Sequence, residues 1–167
     1  MVRFAKEQRI PFIATNVPRR YAAMVAGGGL AALENVSEEA RRYIAPLPVT
    51  VNMELPGYKG MMAMFGGSTH GNSKSINIVQ AQALKDATMA HFILGQVQQG
   101  RQVLHLNGAY HSDNFEGIGW YLKQLRPQVK ARTITTVLQP DLEKLSDENK
   151  QKADFILVVP ESMTRTY

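Results

Sequence analysis

Residues 77–100, NIVQAQALKDATMAHFILGQVQQG, and the segment RQVLHLNG (101–108) that follows them decide the fold class. The first stretch repeats its core-type residues at spacings of three and four, namely Leu84, Ala87, Thr88, His91 and Leu94. This pattern predicts an amphipathic helix that ends at Gly100. The second stretch is short and apolar, as expected of a strand. A helix that leads into a strand is the repeating unit of α/β domains.

The same alternation extends to both sides of this unit. Strands are predicted at IPFIAT (10–15), KARTITTVLQ (130–139) and ADFILVVP (153–160). Helices are predicted from Arg19, with a break at Gly27–Gly29, in SEEARRYI (37–44) and in FEGIGWYLKQLRP (115–127). We therefore expect an α/β fold with a mainly parallel or mixed sheet flanked by helices. Since the first strand begins close to the N-terminus, the chain is expected to be the C-terminal part of a larger α/β domain.

Residues 49–76 differ in composition from the rest of the chain. They are rich in Gly, Met and small polar residues and have no sustained period. We interpret them as a long loop or lid with one short Met-rich helix, because long loops in compact domains are often functional. The alternative is a connection without a role.

Composition excludes several classes of function. The chain has 167 residues, a net charge of +5 and no cysteine, so disulfides, thiolate metal sites and a Cys nucleophile are absent. The basic residues do not form a continuous stripe with interleaved aromatic residues, and no nucleic-acid partner is expected. The four histidines, at 70, 91, 105 and 111, are too scattered to predict a zinc site.

Two turns follow predicted strands, where α/β proteins bind ligands. In NGAYHSD (107–113), Gly108 permits close approach of a ligand, and the His111 imidazole can titrate near neutral pH or bind a metal. Asp113 could orient that imidazole. The alternative is a polar turn that caps its own helix. His105 alternates with apolar residues, so we interpret it as a packed or hydrogen-bonded histidine.

The other turn, TNVPRRY (15–21), carries Arg19 and Arg20 at the start of a helix. A guanidinium group suits a carboxylate or phosphate, although two solvated arginines are the simpler interpretation. We expect this turn and NGAYHSD to face one crevice. On the long helix, Gln82, Asp86 and Met89 share a face that could line the crevice. Asp86 could instead pair with a neighbouring Lys or Arg.

Several blocks resemble the ChaN-like haem-binding uptake family of the Tiki/TraB/erythromycin-esterase-like superfamily, in which many members are labelled iron-regulated lipoproteins. The blocks are IPFIATNVPRRYAAMVAGGGLAAL, YIAPLP, AQALKDATMAHFI and VLHLNGAYHSDNFEGIGWYL. The resemblance implies an α/β fold, haem as cofactor and a role in bacterial iron acquisition. It also implies a place on the periplasmic side of the outer membrane or in the cell envelope, with the signal outside this chain. The partners it suggests, besides haem, are a second copy in a homodimer and an outer-membrane haem transporter.

The resemblance also suggests site residues. Its Gly-x-x-His signature falls on Gly108 and His111, and its arginine after a strand matches Arg19 better than Arg20. The earlier Gly-Glu-x-His segment of the family is missing, so residues 1–167 are interpreted as the C-terminal part of a single ChaN-like domain. The haem-site candidates are Arg19, Arg20, Tyr58, Tyr110, His111 and Asp113, with His111 as the metal ligand and His70 as a further donor.

An adaptable apolar wall for haem is expected from Met61, Met62, Met64 and Phe65. The alternative is that these side chains are core packing. The superfamily also suggests a second function, a metal-dependent or Glu/His hydrolase. In such an enzyme His111 would be a general base or metal ligand, with a Glu from outside this chain.

Overall fold

The computed structural model describes residues 1–65, 73–98 and 100–164. The helices of the described chain are α1 (Val2–Glu7), α2 (Arg19–Gly28), α3 (Glu38–Arg41), α4 (Pro56–Met64), α5 (Ser73–Gln96) and α6 (Ile118–Leu125). The strands are β1 (Ile134–Gln139) and β2 (Phe155–Pro160). Short 3-10 turns occur at Leu30–Leu33, Ala109–His111, Asp113–Phe115 and Asp147–Asn149. No helix in the described part of the chain combines the length and apolarity needed to cross a membrane.

The core lies around α5, the helix predicted at 77–100. Helices α2 and α6 pack against it, and Val25, Leu33 and Leu84 are fully buried in the same cluster. Each such side chain stabilises the fold by about 1.5–3 kcal/mol through removal of apolar surface from water. The predicted face of α5 is confirmed, since Gln82, Asp86 and Met89 are all buried.

Local signals set the end of α2 and the start of α3 as predicted, whereas α5 runs from Ser73 to Gln96 instead of 77–100. Gly29 has a φ of 71°, which ends α2 and separates it from the turn at Leu30–Leu33. The Ser37 side chain accepts a hydrogen bond from the Ala40 backbone amide and caps α3. The helix predicted at 115–127 is α6.

The sheet consists of β1 and β2, which pair in parallel from Ile134 opposite Phe155 to Gln139 opposite Pro160. Both strands were predicted, and the α/β class is confirmed. One face of β1 buries Thr135, Val137 and Gln139, while Ile134 and Leu138 on the other face are exposed.

The strands predicted at 10–15 and 101–108 are wrong. Both segments lack helical or strand structure, and their apolar side chains are largely exposed, with Leu104 82% accessible. A strand is stabilised by hydrogen bonds to a neighbouring strand, and no ladder within the described residues pairs either segment. An apolar run in the sequence indicates a preference for extended backbone but does not supply the partner.

The 49–76 segment contains the predicted Met-rich helix, which is α4. Tyr58 is buried against α5 together with Val79 and Ala83, and Met61 and Met62 pack on this small cluster. Met64 and Phe65 are exposed. Core packing therefore accounts for two residues of the expected apolar wall and not for the other two. His70 lies outside the described residues.

Candidate functional site

A buried carboxylate on α5 holds the predicted histidine. Asp86 is 0% exposed, and its Oδ1 lies 2.5 Å from His111 Nδ1 in the Ala109–His111 turn. The His111 side chain is 18% exposed. Because a carboxylate only accepts, the imidazole donates from Nδ1. The Nε2 atom makes no hydrogen bond with any residue that the structure describes, and it is the atom left for a ligand or a proton.

Gln82, one helical turn before Asp86, lies beside the same imidazole. Its side-chain amide is 2.9 Å from His111 Nδ1. The atom of the amide that makes this contact is Nε2. Gln82 and Asp86 together fix the ring plane of His111.

Two tyrosines complete the buried cluster. Tyr58 of α4 donates its hydroxyl hydrogen to Asp86 Oδ2 at 2.8 Å, and Tyr121 of α6 donates to the Thr50 carbonyl at 2.6 Å. Burial raises the pKa of both phenols, and the nearby Asp86 charge raises it further. Burial also raises the pKa of Asp86, although the hydrogen bonds from His111 and Tyr58 oppose this shift. The cluster thus favours hydrogen-bonded, neutral phenols around one carboxyl group.

The turn that carries His111 has strained backbone. Asn114, Phe115 and Gly117 have φ angles of 58°, 61° and 52°. A Cβ atom on Gly117 would lie 2.5 Å from the His111 carbonyl oxygen and 3.2 Å from Asp86 Oδ2. Only glycine fits here, and its close approach brings the turn onto α5. Strain of this kind is typical of functional sites.

An unpaired polar atom lies in the same turn. Asp113 Oδ1 is buried and has no hydrogen-bond partner among the described residues. A buried acceptor without a donor costs about 1–3 kcal/mol. Asp113 was expected to orient His111, but the structure gives that contact to Asp86.

Helix α4 is attached to this turn near both of its ends. Near its start, the Gly57 amide donates to Glu116 Oε2 at 2.7 Å. At its end, the Tyr110 hydroxyl donates to Met64 Sδ at 3.6 Å. Tyr110 and Met64 are 58% and 72% exposed, and Phe65 is also exposed. We refer to Tyr110, Met64 and Phe65 as the Tyr110 surface.

The two predicted turns are connected by hydrogen bonds. Thr15 Oγ1 lies 2.8 Å from His105 Nε2, and His105 Nδ1 lies 3.0 Å from Asn107 Oδ1. Asn107 then donates to Ser112 Oγ at 2.9 Å. The predicted hydrogen-bonded role of His105 is confirmed, and the chain of contacts places the two turns side by side.

The segment before the NGAYHSD turn and one of the contacts of this turn differ from the prediction. The NGAYHSD turn does not follow a strand, because residues 101–108 form none. The Asn114 amide also donates to the Lys152 carbonyl at 2.8 Å, so the turn touches the loop before β2 as well.

The predicted residues separate into a buried and an exposed group. Tyr58 is buried and His111 nearly so, and both contact Asp86, whereas Tyr110 is exposed. Arg19 and Arg20 are exposed at the start of α2, where Arg20 stacks on the Tyr21 ring and donates to its hydroxyl. The sequence interpretation missed Asp86 as the partner of His111. The signal for it was the buried face that Asp86 shares with Gln82.

The donor types at this site include those that bind haem iron. The described residues contain no group of three or more His, Asp or Glu side chains arranged for a metal ion. An imidazole whose other nitrogen is held by a carboxylate, together with an exposed phenol and an exposed thioether, supplies the donor types that bind haem iron. Two clefts of about 300 and 340 Å³ lie elsewhere, beside Gln139 and Leu30, and contain none of these donors.

Comparison with known proteins agrees with the resemblance seen in the sequence. A family model described as "Haem-binding uptake, Tiki superfamily, ChaN" matches residues 1–122, which include α1 to α5, the strained turn and the first half of α6. No curated protein and no solved structure shows significant similarity to the chain. The match covers well over half of the sequence, and the chain therefore belongs to the ChaN family of haem-binding uptake proteins in the Tiki superfamily.

Proposed function

We propose that this chain binds haem at the Tyr110 surface and serves bacterial haem and iron acquisition. The observation that carries the proposal is an exposed phenol at the edge of a rigid, buried cluster. Tyr110 directly precedes His111, whose imidazole is held by Asp86. The single side-chain hydrogen bond of Tyr110 to a described residue is the long contact with Met64 Sδ. A phenol that is accessible and weakly bonded is free to bind iron as phenolate.

The surroundings suit the rest of the haem molecule. Met64 and Phe65 offer adaptable apolar surface for the macrocycle. Arg19 and Arg20 are exposed in the turn joined to Ser112 through Asn107, His105 and Thr15, and their guanidinium groups suit propionates. His111, with Nδ1 occupied by Asp86, keeps Nε2 available as a further donor or as the proton acceptor for the phenol.

A titration with ferric haemin tests the proposal. We expect a shifted Soret band on the intact chain, with bands in the visible spectrum typical of phenolate-bound ferric iron. Tyr110→Phe should abolish those bands and weaken binding by about tenfold or more, because a donor to iron is removed. Tyr43→Phe is the matched control, since Tyr43 is also exposed and lies between α3 and Pro46. An unchanged Soret band on the intact chain would refute the proposal.

Location and partners follow as part of the same proposal. We propose, as part of the haem-uptake role, that the protein lies on the periplasmic side of the outer membrane or in the cell envelope. It also suggests a second copy of the chain and an outer-membrane haem transporter as partners. Molecular mass in solution, measured with and without haemin, tests for a homodimer.

One observation favours a second candidate function, a hydrolase. The Asp86–His111 pair is the arrangement in which a carboxylate orients a general base. Measured turnover of ester or peptide substrates that is lost in His111→Ala, together with stoichiometric bound metal, would favour the hydrolase. Haem binding without turnover would favour the uptake protein.

A further inference from the structure

We propose that the Met64 thioether is a second iron donor at the Tyr110 surface and that it binds ferrous haem in preference to ferric haem. The inference rests on the haem-binding function proposed above. It starts from the 3.6 Å contact between the Tyr110 hydroxyl and Met64 Sδ, which brings two types of haem ligand together.

Packing does not account for this contact. Met61 and Met62, on the same helix, pack on Tyr58, Val79 and Ala83, whereas Met64 is 72% exposed. An O–H···S hydrogen bond is weak, and a methionine side chain loses about 1.5–2 kcal/mol of rotamer entropy when it is fixed. Two exposed side chains gain little stability from meeting in this way. The contact therefore leaves both donor atoms accessible to a ligand.

The fold sets the distance between the two donors. Glu116 accepts a hydrogen bond from the Gly57 amide, so the start of α4 is attached to the turn that carries Tyr110. Tyr58 attaches the same helix to Asp86. Helix α4 is held at Gly57 and Tyr58 near its start. Its last residue, Met64, therefore lies beside Tyr110 at the other end of the same helix.

The two donor types prefer different oxidation states of haem iron. Ferric iron prefers the anionic oxygen of a phenolate, whereas ferrous iron accepts the softer thioether, which raises the reduction potential of haem. Reduction adds one electron to the iron from an external one-electron donor. In a haem-loaded chain, the Tyr110 oxygen would then take one proton from water and become a neutral phenol, and the Met64 thioether would be the donor that replaces it.

The test uses the full chain loaded with haemin and then reduced with dithionite. Met64→Leu conserves volume on an exposed helix end, so the fold should be kept. Met24→Leu is the matched control, because Met24 is also exposed but lies on α2. Spectra of the ferric and ferrous states and the midpoint potential are recorded for the three proteins.

We expect the unchanged chain and Met24→Leu to share one ferrous spectrum and one midpoint potential. Met64→Leu should give a different ferrous spectrum, a lower midpoint potential and about tenfold weaker ferrous binding, a larger loss than for ferric haem. Ferrous spectra and midpoint potentials that are alike in the unchanged chain and Met64→Leu would overturn the inference. The ferric titration reports separately on the proposed function.

Discussion

At the scale of single residues, the site depends on Asp86, a carboxylate that the sequence placed on a shared helix face but did not assign as the partner of His111. The Gly-x-x-His pattern identified His111, but the nearest acid in sequence, Asp113, is not its partner. Asp86 lies 25 positions earlier, and only the packing of α6 and the strained turn on α5 brings it to Nδ1. Spacing along one element predicts which residues share a face. It does not predict which other element covers that face.

Gly117 gives a prediction at this scale. Gly117→Ala should lower the free energy of unfolding by at least about 1–3 kcal/mol, because the new Cβ would meet the His111 carbonyl at 2.5 Å and φ is 52°. Haemin binding should weaken as well, since His111 must move. Chemical denaturation measures the first effect and the Soret titration the second.

Gly119→Ala is the control for this prediction. Gly119 lies in α6, and a Cβ at this position has no neighbour within 4 Å. Alanine there should be neutral or stabilise the protein by up to about 1 kcal/mol. Equal losses in the two variants would mean that the turn does not require a glycine at 117.

At the scale of elements, the helices and both observed strands were predictable, but two of the four predicted strands do not form in the described chain. Ser37, Gly29 and the spacing along α5 are local signals, and each acts through neighbours within one or two turns. The segments 10–15 and 101–108 have the composition of strands but no partner in the described chain. Strand formation depends on contacts distant in sequence, which an apolar run cannot reveal.

The attachment of α4 to the turn gives a prediction at the scale of elements. Glu116→Ala removes the acceptor for the Gly57 amide and a negative charge at a helix start, so unfolding free energy should fall by about 0.5–2 kcal/mol. Glu116→Gln keeps an acceptor oxygen and should retain most of that stability. Denaturation curves measure the effect, with Glu161→Ala as a control on an exposed acid. A Glu116→Ala curve that superimposes on that of Glu161→Ala would argue against a role for this contact.

At the scale of the whole molecule, the family match and the sheet occupy different parts of the chain. The match ends at residue 122, and both strands follow it. The site residues discussed above all lie within the matched part, so the haem proposal does not depend on the sheet. Polar contacts nevertheless join segments that are distant in sequence. His105 takes part in such a contact, since it connects Thr15 to Asn107 of the NGAYHSD turn.

His105 predicts how the stability of the whole molecule depends on pH. Burial lowers the pKa of His105 below its ordinary value of 6.5, and the hydrogen bond to Asn107 only partly opposes this. Below pH 6.5 the unfolded chain therefore binds a proton before the folded chain does. The stability contributed by neutral His105 is complete above that pH and is lost as the pH falls through the folded pKa. We expect His105→Gln to reduce the slope of unfolding free energy against pH in this window, measured by denaturation at closely spaced pH values. A slope that His105→Gln leaves intact would show that another group governs the acid sensitivity.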